Sequence, residues 1–206
     1  MENSIYRKSW EEGIDYSAYR SMIDRLLAEG KTTGTDQSEK MIQYSELNVQ
    51  RMKRIDKTTA LDEEVVAVLQ PVASGIKVLV ITEAWCGDAA QIVPVIAKLT
   101  EHLGIEMRIV LRDEYPDLIE RHLTNGGKSI PVILTLDAET FEFRSSFGPR
   151  PSALQRMVLD YRALAEPKLP YSEFQKNVQL WYAKDKQRSI QKEWSEAVLK
   201  GQSIGA

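Results

Sequence analysis

The run "IKVLVITEAW", residues 76–85, constrains the fold more than any other stretch of the chain. It is a near-continuous series of β-branched and aliphatic residues, which is how a strand buried on both faces reads. A strand of that kind needs a layer on each side, and the sequence after it supplies one. From Gly87 to His102 the period becomes helical, with Ala89, Val93, Ile96, Thr100 and Leu103 on one side and Gly104 at the end. "IEMRIVLR" predicts a second strand and "YPDLIERHL" a second helix, the alternation expected of parallel strands joined by crossover helices. After the turn "TNGGKS", the runs "IPVILTLD" and "TFEFRSSF" lie so close together that they predict an antiparallel hairpin, and a helix over 151–165 closes the unit. The order β-α-β-α-β-β-α describes an α/β unit in which a mixed sheet carries helices on its faces.

Helices are predicted on both sides of this unit. Tyr16, Tyr19, Ile23, Leu26 and Leu27 form the apolar face of one over 15–29, stopped by Gly30; the turn-rich "KTTGTDQ" follows. A second, over 38–55, presents Met41, Tyr44, Met52 and Ile55 on a face that also carries Asn48, and a polar residue in such a stripe requires a partner. A third runs over 61–69, with Asp62, Glu63 and Glu64 at its positive end and Pro71 just past its close. The tail over 171–200 is helical with a defect: Phe174, Val178 and Trp181 share one face, whereas Ile190, Trp194 and Val198 fall nearly opposite. Either the helix breaks within 184–189 or it touches two bodies. A second copy of the chain would be one such body, making Trp194 an interface residue of a homodimer formed through the C-terminal helix; the alternative is packing on the chain's own amino-terminal helices. The expected organisation is a helical N-terminal extension over 1–59, the α/β domain over 60–165 and a helical C-terminal extension over 166–206, in one compact unit.

A chain of 206 residues, 43% hydrophobic and 28% charged, has material for one sizeable core. Its formal charge of −3, with no long run of Lys and Arg, argues against nucleic acid as a partner. The densest basic pieces, "QRMKRIDK" and "KDKQR", sit in helical segments and read as solvated faces. No stretch approaches the ~20 apolar residues of a membrane span, and "MENSIYRKSWEEG" lacks the order of a signal peptide, so a cytoplasmic protein is expected. The single cysteine, Cys86, cannot build an internal disulfide, in agreement with a reducing compartment.

Cys86 stands in "TEAWCGDAAQIVP", where the buried strand gives way to the helix. With W-C-G at that junction, the order of elements over about 60–165 resembles the thioredoxin fold. Three further features sharpen the likeness. Pro94 falls where thioredoxins kink the helix, "SIPVILTLD" resembles the strand that opens with a cis-proline and so nominates Pro131, and "FGPRP" resembles the turn into the last helix. The flanking segments look like those of an extended branch of thioredoxin-like bacterial proteins. There are also departures. Thioredoxins carry W-C-x-x-C, whereas Trp85, Cys86, Gly87, Asp88 and Ala89 leave no resolving cysteine, and Val80 stands where thioredoxins bury an acid.

The resemblance implies that Cys86 is a nucleophile at a helix amino end, where unpaired N–H groups favour a thiolate, while Asp88 opposes it; a modest net depression of the thiol pKa is expected. One thiol can form a mixed disulfide, but an external thiol must resolve it. The implied activity is that of a monothiol thiol–disulfide oxidoreductase acting on a protein or a low-molecular-weight disulfide. Asp88 either relays a proton to the departing thiolate or complements the helix dipole. Trp85, Gly87, Ile130 and Pro131 are the implied substrate-contacting residues, with the Ile130 backbone offering an edge to an extended peptide. No cofactor is implied, and His102 and His122 do not join Cys86 at a metal-binding spacing. Two other readings stand beside this one: a non-catalytic module that captures peptides at the Pro131 edge, and a redox sensor using Cys86.

Overall fold

Strand β1 (Ile76–Thr82) runs through the middle of the molecule, every residue except Lys77 buried. In this computed structural model, which describes residues 2–203, four strands lie in the order β2-β1-β3-β4. Strand β2 (Met107–Leu111) pairs parallel to β1, with Val78 opposite Met107; the connection between them holds a helix, as parallel strands require. Strand β3 (Val132–Asp137) pairs antiparallel to β1, setting Val80 opposite Ile133, and β4 (Phe143–Phe147) returns beside β3 as a hairpin. Val80 is fully buried, so the sheet interior at that position is apolar.

Nine helices are described. Before β1 come α1 (Glu2–Glu12), α2 (Tyr16–Ala28), α3 (Glu39–Thr58) and α4 (Glu63–Leu69), then a tight turn over Gln70–Gly75. Asp15 caps α2 by accepting from Ala18 N–H, and Asp62 caps α4 by accepting from Glu64 and Val65 N–H. Helix α5 (Ala89–Leu103) follows β1, contains Pro94 and ends on Gly104 in the left-handed conformation. Then come α6 (Pro116–Glu120), α7 (Ser152–Ala163), α8 (Tyr171–Asp185) and α9 (Arg188–Ser203). Helix α3 packs on α5 and α2 on α3, and α3 reaches the β1–α5 turn at the Ala84 carbonyl.

Helix α1 has no counterpart in the periodicity reading. Among its residues whose burial is described, Tyr6, Ser9 and Trp10 are buried, a single-turn pattern too short to stand out in a polar segment. Beyond it, Ile14 and Ile109 exchange backbone hydrogen bonds at 3.0 and 2.7 Å, covering part of the β2 edge.

The tail does break: Lys186 and Gln187 take φ of 52° and 64° between α8 and α9. Trp194 is fully buried within the chain. The surface that receives α9 is chiefly β4, with α4 and α5; Gly201 permits the approach, since a Cβ there would lie 2.9 Å from the Arg144 carbonyl oxygen. Of the two bodies considered for the tail, Trp194 meets its own chain and is not an interface residue: β4 offers an edge that the chain covers with its own last helix. No described helix is long and apolar enough to cross a membrane.

Candidate active site around Cys86

The β1–α5 turn carries Cys86 out of the sheet. Its amide donates to the Glu83 carbonyl at 3.2 Å and its carbonyl accepts from Ala90 N–H at 3.1 Å, which locks the residue onto the start of α5. The thiol donates to the Ile130 carbonyl at 3.3 Å and receives the Ala89 N–H at 3.5 Å. The Ile130–Pro131 peptide is cis. Gly148, at φ 120°, lets the β4–α7 turn cross this point, because a Cβ there would lie only 2.3 Å from the Pro131 carbonyl oxygen. Three segments distant in sequence thus meet at the sulfur.

The thiol is 8% exposed. Burial first, and then the Asp88 carboxylate, push its pKa up to about 12, against the Ala89 and Asp88 N–H groups and the Arg150 guanidinium, which pull the other way. The modest depression expected from the helix amino end is therefore overturned. Two backbone donors do not offset the removal of a thiolate from water beside a carboxylate.

Asp88 sits at the amino end of α5 but makes no capping bond to the helix. Its Oδ1 accepts from the Tyr182 hydroxyl at 2.9 Å and its Oδ2 pairs with Arg150 Nη2 at 2.6 Å. Burial raises the Asp88 pKa, and the Arg150 and Tyr182 contacts hold it back. Tyr182 comes from α8 and Arg150 from the "GPRP" turn, so the tail helix and the last turn together fix the carboxylate. Neither residue was nominated by sequence reasoning. Arg150 lay inside a quoted motif, but nothing in that motif signals a carboxylate partner.

Other side chains close the site. Asn48, the polar residue in the α3 stripe, donates to the Ala84 carbonyl at 2.8 Å and accepts from Arg51 Nη1 at 2.8 Å, which supplies the partner its position required. Gln91 donates to Gln179 Oε1 at 2.8 Å, tying α5 to α8. Arg112 lies over the Trp85 ring, 4.7 Å from its centre. Glu83, fully buried, accepts the Asp113 N–H at 3.0 Å, and burial raises its pKa. Trp85 apart, these residues also escaped sequence reasoning as site residues.

Trp85, Cys86, Gly87, Asp88 and Ile130 line one cleft of about 890 Å³. Pro131 is buried behind Ile130 and does not line it. His102 is exposed near the far end of α5, and His122 contacts the Tyr6 hydroxyl at 3.1 Å. Among the described residues no group of three or more His, Cys, Asp or Glu side chains is placed to hold a metal ion.

Comparison with known proteins bears on the fold. A protein of unknown function from Pseudomonas aeruginosa, known from its crystal structure, is 17% identical over 96% of this chain and 98% of its own, with a TM-score of 0.59. An HIV epitope scaffold, also a crystal structure, is 18% identical over 90% of this chain and 92% of its own, with a TM-score of 0.58. At such identities the likeness is one of fold. No curated protein matches the chain. Residues 34–166, more than half of the chain, match the thioredoxin family model. With its mixed four-stranded sheet flanked by helices and helical regions at both ends, the chain belongs to the thioredoxin family and has a thioredoxin fold.

Proposed function

We propose that the chain catalyses thiol–disulfide exchange with Cys86 as its nucleophile and an external thiol as the resolving group. The observation that carries this reading is the position of the sulfur: it lines an open cleft, 3.3 Å from the Ile130 carbonyl, with the Ala89 N–H directed at it. In the first step the Cys86 sulfur attacks one sulfur of the substrate disulfide. A new S–S bond joins Cys86 to that half, the old S–S bond breaks, and the proton of Cys86 ends on the departing thiol. In the second step an external thiol attacks the mixed disulfide, restores Cys86 as a thiol and leaves with the bound half as a new disulfide. Electrons pass from the external thiol to the substrate, and the protein is unchanged.

A thiol with a pKa near 12 must lose its proton during attack. Asp88 is the acceptor in this reading: its pKa is raised by burial, and moving the proton from Cys86 to Asp88, directly or through a water, keeps one negative charge in the site instead of two. The same carboxylate then returns the proton to the leaving sulfur.

The test is incubation with hydroxyethyl disulfide and a reduced small thiol. Turnover, one intact-mass adduct per chain and loss of both in Cys86→Ser are expected. No adduct on the folded protein overturns the proposal. One observation favours a second reading: the burial that raises the thiol pKa suits a module that captures extended peptides at the Ile130 edge without chemistry. Partner capture that survives Cys86→Ser, with no turnover, supports that module.

A further inference from the structure

The cleft beside Cys86 has a charge opposite to that of the chain. Over 206 residues the formal charge is −3, yet the cleft is lined by seven Lys and Arg side chains and one carboxylate, Asp88. Four of those cations are paired: Arg150 with Asp88, Arg112 with Asp113, Lys128 with Glu120 and Lys176 with Glu173. Lys40, Arg51 and Arg162 have no carboxylate within 4.0 Å among the described residues.

Arg51 is the one of these three that is half-buried, and its guanidinium reaches the residue after Cys86. Asn48, itself anchored on the Ala84 carbonyl, holds its Nη1. A Cβ added at Gly87 would lie 3.3 Å from Arg51 Nη1 and 3.3 Å from Gln179 Nε2, so both donors flank the residue next to Cys86. Gln91 engages Gln179 through its oxygen, which leaves the amide N–H groups of Gln179 on the Gly87 side. The nearby Asp88 bonds Tyr182 and Arg150 and makes no ion pair with Arg51 within 4.0 Å, although its charge still favours the Arg51 cation. The result is a guanidinium and an amide, from α3 and α8, that both approach the residue following Cys86. A planar guanidinium beside a second N–H donor suits a carboxylate, and a cleft of about 890 Å³ is the size of a small-molecule site.

We propose that this cleft selects small disulfides that carry carboxylates, with Arg51 and Gln179 holding the anion while Cys86 exchanges with its sulfur. This rests on the exchange reading of Cys86. It assigns to the two helices that bracket the α/β unit a role as the source of specificity.

The test uses two aryl disulfides whose released thiols are read by absorbance: dithiobis(nitrobenzoate), which carries a carboxylate on each half, and dithiodipyridine, which carries none. Each rate with the native protein is divided by the rate of a neutral peptide thiol with the same reagent. The expected ratio of anionic to neutral probe is about tenfold or more at low salt, falling toward one as salt is added. Arg51→Gln is expected to lower that ratio about tenfold and Arg51→Lys to retain part of it. Equal normalised rates at low salt overturn the anion selectivity and leave exchange at Cys86 standing. Reaction with neither probe until the protein unfolds overturns the exchange reading itself, and the selectivity with it. The salt dependence of the unaltered chain decides the matter even if the Arg51 variants fold poorly.

Discussion

Arg150 and Asp88, the latter two residues along the chain from the thiol, form an ion pair at 2.6 Å with both side chains largely withdrawn from solvent, 15% and 10% exposed. The pair does two things at once. Its carboxylate opposes a thiolate at Cys86, and its guanidinium favours one, so the protonation of the sulfur depends on how completely each charge cancels the other.

Asp88→Asn removes the carboxylate and leaves the Arg150 charge beside the sulfur. Both changes lower the Cys86 pKa from its value of about 12. A fall of one unit raises the thiolate fraction, and hence the iodoacetamide alkylation rate at fixed pH below the pKa, about tenfold. The pH dependence of that rate in the two proteins checks it. An unchanged profile means that burial alone sets the thiol pKa.

Arg150→Met leaves Asp88 buried without its cation. Breaking one side of a buried pair costs about 3–5 kcal/mol of folding stability, whereas replacing both partners with apolar residues costs far less. Denaturant unfolding is expected to show Arg150→Met as the less stable protein and the Arg150→Met, Asp88→Leu double variant as largely recovered. Additive losses in the double variant mean that the two side chains contribute separately.

The pattern along the chain carries the sheet, because a buried strand writes its burial into its own residues: β1 reads as apolar without help from any partner. The same local logic predicted that Asn48 needs a partner, and the defect in the tail's stripe offered the break that divides α8 from α9 as one of two alternatives. What local patterning does not carry is the identity of partners far away in the chain. Tyr182 and Asp88 are separated by 94 positions, and neither neighbourhood marks the other. The Cys86 pKa was missed for the same reason: the helix amino end is visible in sequence, but the layers that desolvate the sulfur come from α3, the 130 turn and α8. Helix α1 was missed because its buried face is a single turn.

His122 gives a pH signature remote from the cleft. Burial lowers its pKa from 6.5 to about 4, so the unfolded chain binds this proton more readily than the folded one. Stability attributable to His122 is therefore complete above the unfolded value and is lost as pH falls from about 6.5 toward 4. His122→Phe, which stays apolar beside Tyr6 and Phe143, is expected to flatten that part of the curve of unfolding free energy against pH. An equally steep acid limb in the variant assigns the loss to other groups.

Trp194 tests how α9 is held. The ring is fully buried and its Nε1 has no hydrogen-bond partner, so the residue contributes through packing alone. Trp194→Ala opens a large cavity and is expected to cost about 3–5 kcal/mol. Trp194→Phe leaves a smaller space and removes the unsatisfied N–H, so its cost is expected to be at least about 2 kcal/mol lower. Gly201→Val acts on the same contact from the other side, because its Cβ would sit 2.9 Å from the Arg144 carbonyl and separate α9 from β4. Chemical unfolding of the three variants checks the order, with Trp194→Ala well below Trp194→Phe. If Trp194→Ala and Trp194→Phe lose the same amount, the indole N–H rather than ring volume sustains the contact, and the packing account of α9 on β4 is wrong.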